Sequence, residues 1–367
     1  MLTIADVVRH LESIAPLRRA AEWDNVGLLL GSSTAKVERI LTCLTVTPEV
    51  AAEAVQWRAN LIVSHHPILF RPVKQLTDAT SEGRLLLELI RADVAVFSAH
   101  TAFDDCAGGI NDQLAQKLDL SDVRPLRPWS SEPKCKLVVF VPDQDLVRVS
   151  DAIFAAGAGI IGQYSQCSFR LTGTGTFFGS DAANPTVGEK GRREEVSEWR
   201  LEAVCPQSLA ANVVAAMRKA HSYEEPAYDL YPLAAEASSL GNGRMGRLKE
   251  PATLQSLAGK VRAALACGPV QLIGEAGRTV HQVAVACGAA ASFLDDAIRS
   301  KADVFFTGEA RFHDYLRAQA SGIAMILPGH YATERLGVEQ LAIQLARQWP
   351  GVEARASQRD ADPVRWI

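Results

Sequence analysis

The apolar run Leu61-Ile-Val-Ser64 stops at two adjacent histidines, His65 and His66, and then at Pro67. Proline cannot continue a central strand, so both imidazoles fall where a strand ends. His100 and Asp104 follow a second apolar run, and His330 and Glu334 a third. His330 and Glu334 are spaced i, i+4, so on a helix opening at 330 they share one face about 5–6 Å apart. Imidazole and carboxylate ligands without a thiolate suit zinc or iron, and also manganese or nickel. Neighbouring side chains on an extended strand point in opposite directions. His65 and His66 therefore suit two neighbouring ions, about 3.5–4 Å apart, bridged by a carboxylate and a water. The candidate ligands are His65, His66, Asp104, His330 and Glu334, with Glu334 as the bridge. The plainer reading of each histidine is a surface or hydrogen-bonded side chain. The His65-His66 pair resists it, because burying two unpaired imidazoles is costly.

His100 has two readings, a ligand related to His330 or a donor that orients Asp104. Glu309 and His313 are four apart at another strand end; they read as a general acid/base pair that shuttles protons, or as a helix-start carboxylate and a polar helix residue. Asp24 and Asn25 read as turn formers. His10 and His281 lie at no strand end of this cleft and read as structural or exposed.

The elements that must position these groups alternate. A helix is expected over 3–20, strands over 40–46, 61–64 and 94–98, and helices over 48–57 and 82–91. Near-continuous apolar strands separated by helices predict a mainly parallel sheet covered by helices. In such sheets ligands bind at the carboxyl ends of the strands. After the insert the pattern returns, with strands over 280–287, 304–307 and 323–327. Residues 59–66 can be laid on 302–309 and residues 99–104 on 329–334, so one α/β unit occurs twice, its polar strand ends facing one cleft. The expected segments are 1–125 and 240–367, the two halves of this α/β domain, and 130–235, an inserted domain.

The insert begins at a Pro-rich stretch, 124–131, read as a linker. Its expected order is β-α-β-β-α-β, with a hairpin over 162–178 and a loop over 179–196, a ferredoxin-like α+β pattern. His221-Ser-Tyr-Glu-Glu-Pro226 is a compact polar cluster. It reads first as a turn and second as a regulatory metal or small-molecule site.

A chain of 367 residues with a formal net charge of −4 has no basic footprint for nucleic acid or an anionic membrane surface. No apolar run reaches the length of a membrane span. The amphipathic N-terminus lacks signal-peptide features. The seven cysteines are scattered without C-x-x-C spacing, which fits a reducing compartment. The expected location is the cytoplasm.

Taken together, Glu22-Trp-Asp-Asn-Val-Gly27, Ser64-His-His-Pro67, His100-Thr-x-x-Asp104 with Gly108-Gly109-x-Asn111, Gly241-x-Gly-Arg-x-Gly246, Thr307-Gly-Glu309 and Gly329-His-Tyr-x-x-Glu334 resemble the Nif-three-like family, also called the GTP cyclohydrolase I type 2 homologues or dinuclear metal-centre hexameric proteins. The likeness covers nearly the whole chain. It implies a two-metal site with His65, His66, Asp104, His330 and Glu334 as ligands, and a ring-shaped homohexamer with sites facing an internal cavity. Residues 130–235 resemble the PII/CutA-type insert of the family's long members, and His221–Pro226 resembles a motif of that domain class. One departure is Thr45, where the family usually has an acidic residue.

The resulting expectation is a metal-dependent hydrolase of the GTP cyclohydrolase type. A water activated by two divalent ions would attack C8 of the guanine ring of a nucleotide, open the imidazole and release formate. The alternatives are phosphoester hydrolysis at the same site and a non-catalytic, metal-binding or regulatory toroid. No GxxxxGK[ST] loop is present to choose among substrates.

Overall fold

The computed structural model describes residues 1–130, 132–234 and 237–365. Ser131, at the close of the expected linker, and position 235, the expected end of the insert, lie outside the described residues, as do the last two residues. The chain divides into two units, Met1–Trp129 with Ser239–Ile367, and Ser130–Ser238.

The larger unit contains two sheets. In the first, Arg39–Cys43, Leu61–Ser64 and Ala95–Ser98 run parallel; Gly27–Leu30 is antiparallel on one edge, and Glu353–Ala356 parallel on the other. In the second, Thr279–Ala286, Val304–Thr307 and Ala324–Leu327 run parallel. Gln271–Ile273 and Ala237–Thr253 flank them antiparallel, and Leu120–Ser130 is outermost. The fold is thus mixed α/β, with antiparallel strands at the sheet margins where a mainly parallel sheet was expected.

Alternate residues of the strands face different layers, as the period of two requires. Leu61, Val63 and Phe97 face inward, and so do Val283, Val304 and Phe306 of the second sheet. Both sets share one core with Ile4 and Val7 of helix Ile4–Ile14, Ile110 and Leu114 of helix Ile110–Lys117, and Leu341 of helix His330–Gln348. On the outer faces, Ile62 and Val96 pack on Val50 and Leu89, and Phe305 and Met325 on Leu294 and Ala318. Burial on both faces is why these strands are continuously apolar.

The expected linker is strand instead, and the two halves of the α/β domain are interleaved. Residues 124–130 belong to a strand, and the C-terminal Glu353–Ala356 joins the first sheet, so the segments 1–125 and 240–367 exchange strands. Pro125 and Pro128 suggested a linker, yet an edge strand tolerates missing N–H donors. The first helix ends at Ile14, before Pro16, instead of running to 20.

The smaller unit has an antiparallel sheet of four strands, Lys134–Pro142, Phe169–Phe178, Arg193–Pro206 and Tyr228–Pro232, in the order second, third, first, fourth. Helices Leu146–Ala155 and Ala210–Ala220 pack against it through Val149, Ile153, Val213 and Met217. The β-α-β-β-α-β order is observed. The hairpin over 162–178 is not: Phe169–Phe178 is one strand, and its partner begins inside the expected loop, at Arg193.

Candidate metal centre

Each candidate ligand follows the carboxyl end of a parallel strand. His65 and His66 come directly after Leu61–Ser64, and their backbone N–H groups donate to Cys43 and Leu44. His100 opens a short helix after Ala95–Ser98, with Asp104 one turn on. His330 opens the helix His330–Gln348 after Ala324–Leu327, behind Gly329 at φ +103°. His100 itself has φ +33°, a backbone position that costs a non-glycine residue roughly 1–3 kcal/mol and recurs at functional sites.

Three groups of possible ligands form, each with its ligand atoms within 4.8 Å of one another: His65 with Asp104 and Glu334; His66 with His330 and Glu334; and His65 with His66 and His100. Glu334 Oε2 lies 2.9 Å from His330 Nε2, 3.1 Å from His66 Nε2 and 3.7 Å from His65 Nε2. Asp104 Oδ1 is 3.4 Å from His65 Nε2. The structure therefore brings all five expected residues together and adds His100.

The outward nitrogens of three rings are held by other side chains. Asp24 Oδ1 lies 2.7 Å from His100 Nδ1, Thr45 Oγ1 2.8 Å from His66 Nδ1, and Glu309 Oε1 3.0 Å from His330 Nδ1. A partner on one ring nitrogen fixes the tautomer and turns the other toward a ligand. Thr45 thus reaches His66. Glu309 touches the cluster through His330, while His313 is exposed at the start of helix Phe312–Ala320, its ring 5.9 Å from that of Phe312, and is in none of the three groups. His10 packs edge-on against Trp349, and His281 is exposed.

The residues fit divalent ions. The His65 side chain is fully buried, and neither of its nitrogens makes a hydrogen bond among the described residues. Polar atoms buried without partners are costly unless something else binds them. Burial pushes the His65 imidazole down to about 3, the neutral form a metal requires. Burial, with Glu334 and Asp105 adding to it, pushes Asp104 well above the usual carboxylate range. Burial acts on Glu334 in the same direction, but hydrogen bonds from His330 and His66 outweigh it and hold that carboxyl well below its ordinary value. A buried and a half-buried carboxylate beside four imidazoles are a donor set that a cation would satisfy. The backbone also leaves room: a Cβ on Gly288, at φ +65°, would stand 2.1 Å from Glu334 Oε1.

Several supporting residues escaped the sequence reading. The Asp24 side chain, read as a turn former, is fully buried and also accepts from Thr101 Oγ1 at 2.6 Å. Cys287 Sγ donates to Asp104 Oδ1 at 3.1 Å, and its backbone N–H to Asn111 Oδ1 at 2.9 Å. Asp105 accepts from Asn111, Asn242 and the backbone of Gly243, tying the Gly108–Asn111 and Gly241–Gly246 motifs behind the cluster. Cys287 directly follows the parallel strand Thr279–Ala286, as the ligands follow theirs, which is the signal that could have found it. A cavity of about 570 Å³ opens beside His66 and His330, lined by Thr45, Glu309, Tyr315 and Tyr331 among others.

Comparison with known proteins gives the family. The family model described as Duf34/NIF3 (NGG1p interacting factor 3) matches residues 2–363. The chain is 39% identical over 364 residues to the GTP cyclohydrolase 1 type 2 homolog of Halalkalibacterium halodurans, covering 98% of each chain. It is 36% identical to that of Bacillus subtilis, again over 98% of each. Among solved structures, a Bacillus cereus protein related to NIF3 matches at 35% identity and a TM-score of 0.70, over 100% of this chain and 99% of that one.

Proposed function

The chain belongs to the Duf34/NIF3 family, and from that membership and the clustered ligands we propose that it is a hydrolase dependent on two divalent ions. One ion would be held by His65, Asp104 and Glu334, the other by His66, His330 and Glu334, with His100 beside both His65 and His66. Zinc or iron suits these ligands best, and manganese or nickel also fits. The observation that carries the reading is the sharing of Glu334 between two groups of ligands. Its Oε2 stands within 3.7 Å of three imidazole nitrogens, as a bridging carboxylate would.

Bound ions there supply Lewis acidity, which polarises an electrophilic centre and makes water nucleophilic near neutral pH. This chain's residues do the rest. Glu334 and Asp104 set the spacing of the ligands. Asp24, Thr45 and Glu309 fix three imidazoles. The Glu309 side chain is 57% exposed at the cavity and can accept a proton released there. His313 would serve only after moving from its exposed position.

The substrate we propose is a purine nucleotide opened at C8 with loss of formate, supported by the name GTP cyclohydrolase 1 type 2 homolog carried by the relatives. We read the two sheets as copies of one α/β unit, because three parallel strands with an antiparallel edge neighbour recur in both. The smaller unit we read as a PII/CutA-like insert, on its strand order, and the assembly as a cytoplasmic homohexamer.

Incubating metal-loaded protein with GTP, and assaying formate and pterin-like products, tests the substrate. If neither forms while Glu334→Ala still loses metal, the substrate assignment falls and the metal centre stands.

A further inference from the structure

The turn His221-Ser-Tyr-Glu-Glu-Pro226 belongs to the smaller unit and forms one wall of a second cavity, of about 570 Å³. Small-molecule sites typically have volumes of about 300–1,000 Å³. The floor is the sheet face opposite the helices, where Leu171, Gly173 and Gly175 pair with Arg200, Glu198 and Val196. The loop 183–187 stands over it.

The turn is fixed from several sides. His221 Nδ1 accepts from the Tyr223 backbone at 3.0 Å, so Nε2 carries the proton and donates to the Phe140 carbonyl at 2.9 Å. The Ser222 N–H donates to Asp145 at 2.9 Å. The loop is tied to the turn: Asn184 N–H donates to Glu224 at 3.0 Å, and Thr186 Oγ1 to the Ser222 carbonyl at 2.8 Å. A site held open in this way loses little entropy on binding.

Its chemistry is one-sided. Arg200 is the only basic residue lining it among the described residues, and Glu202 already engages that guanidinium at 2.8 Å. Glu198 makes no ion pair among the described residues. The Tyr223 hydroxyl is buried beside Glu198, and burial first, then that carboxylate, pushes its phenol up. Phe140, Leu171, Phe177 and Val187 supply apolar walls. An anion would meet the Glu198 carboxylate and an occupied arginine. A cation would meet an unpaired carboxylate, a phenolic oxygen and aromatic faces.

We propose that this cavity binds a protonated amine carried on an apolar body, with Glu198 and the Tyr223 hydroxyl receiving its N–H groups. Gly173 keeps the floor open, since a Cβ there would meet nothing within 4 Å.

Calorimetric titration of the full chain with phenylpropylamine, phenylpropanol and phenylpropanoate tests this. The amine is expected to bind once per chain, and the alcohol and carboxylate about tenfold more weakly or not at all. Glu198→Gln weakens the amine about tenfold, and Gly173→Val, a residue suited to a strand, abolishes its binding by filling the floor. Both variants keep the wild-type metal content and unfolding midpoint. Absence of saturable amine binding overturns the proposal, as does equal binding of the carboxylate. Amine binding that neither variant alters also overturns it, because the amine then sits elsewhere, as at the metal centre.

Discussion

Asp24 and His100 lie 76 residues apart in the chain and 2.7 Å apart in space, a buried carboxylate on the Nδ1 of an imidazole whose ring stands 5.2 Å from that of His65 and 5.4 Å from that of His66. This pairing turns a residue with two sequence readings into a member of the cluster.

Asp24→Asn should therefore weaken metal binding about 10- to 100-fold, the usual effect of removing such a partner. Competition with a metal-sensitive dye measures it. Unchanged affinity would separate His100 from the metal centre.

Thr45 gives a graded version of the same test. Its hydroxyl holds His66 Nδ1 at 2.8 Å. Thr45→Ala should lower affinity for one of the two ions by several-fold, and Thr45→Asp should restore or raise it, because a carboxylate makes the stronger partner. The measurement is two-site metal titration, and an identical response of both ions to Thr45→Ala contradicts the assignment of His66 to one of them.

Gly288→Ala should displace Glu334 without replacing any ligand. The new methyl group would fall 2.1 Å from Glu334 Oε1, at φ +65°. Loss of metal is expected, with a stability cost of about 1–2 kcal/mol from the left-handed backbone. Full metal occupancy in this variant would show that Glu334 has room to shift and still bind.

The strand ends carrying His65, His66, Asp104, His330 and Glu334 were legible because buried parallel strands are continuously apolar and stop abruptly. What sequence could not supply was contact between polar residues far apart in the chain. Asp24 resembles any turn aspartate until the fold brings Thr101 and His100 against it. The strand over 120–130 was hidden by its prolines, and the exchange of Glu353–Ala356 into the first sheet has no local signature. The spacing of Glu309 and His313 suggested a pair, but Glu309 instead holds His330 and His313 points to exposure at a helix start.

Away from the site, Asp296 is buried between Arg127, whose Nε is 2.9 Å away, and Arg299. Burial pushes its carboxyl up, but the two guanidinium groups prevail and hold it below its ordinary 3.8. With the folded value depressed, the stabilisation is complete above 3.8 and is lost as pH falls through the lower folded value. Both arginines are about half exposed or more, which limits the effect to about 1 kcal/mol. Asp296→Asn should lower urea stability by that amount at pH 7, and the gap should narrow only below about pH 4. A gap that persists unchanged at pH 3 points to packing instead of charge.

The most direct test is the metal content of the intact protein purified without chelator, measured by elemental analysis beside Glu334→Ala. Two ions per chain in the wild type, and loss of both in the variant, are expected because Glu334 belongs to both groups of ligands. Wild-type protein that binds no more than one ion when saturated, or a Glu334→Ala variant that retains two, contradicts a bridged two-metal centre.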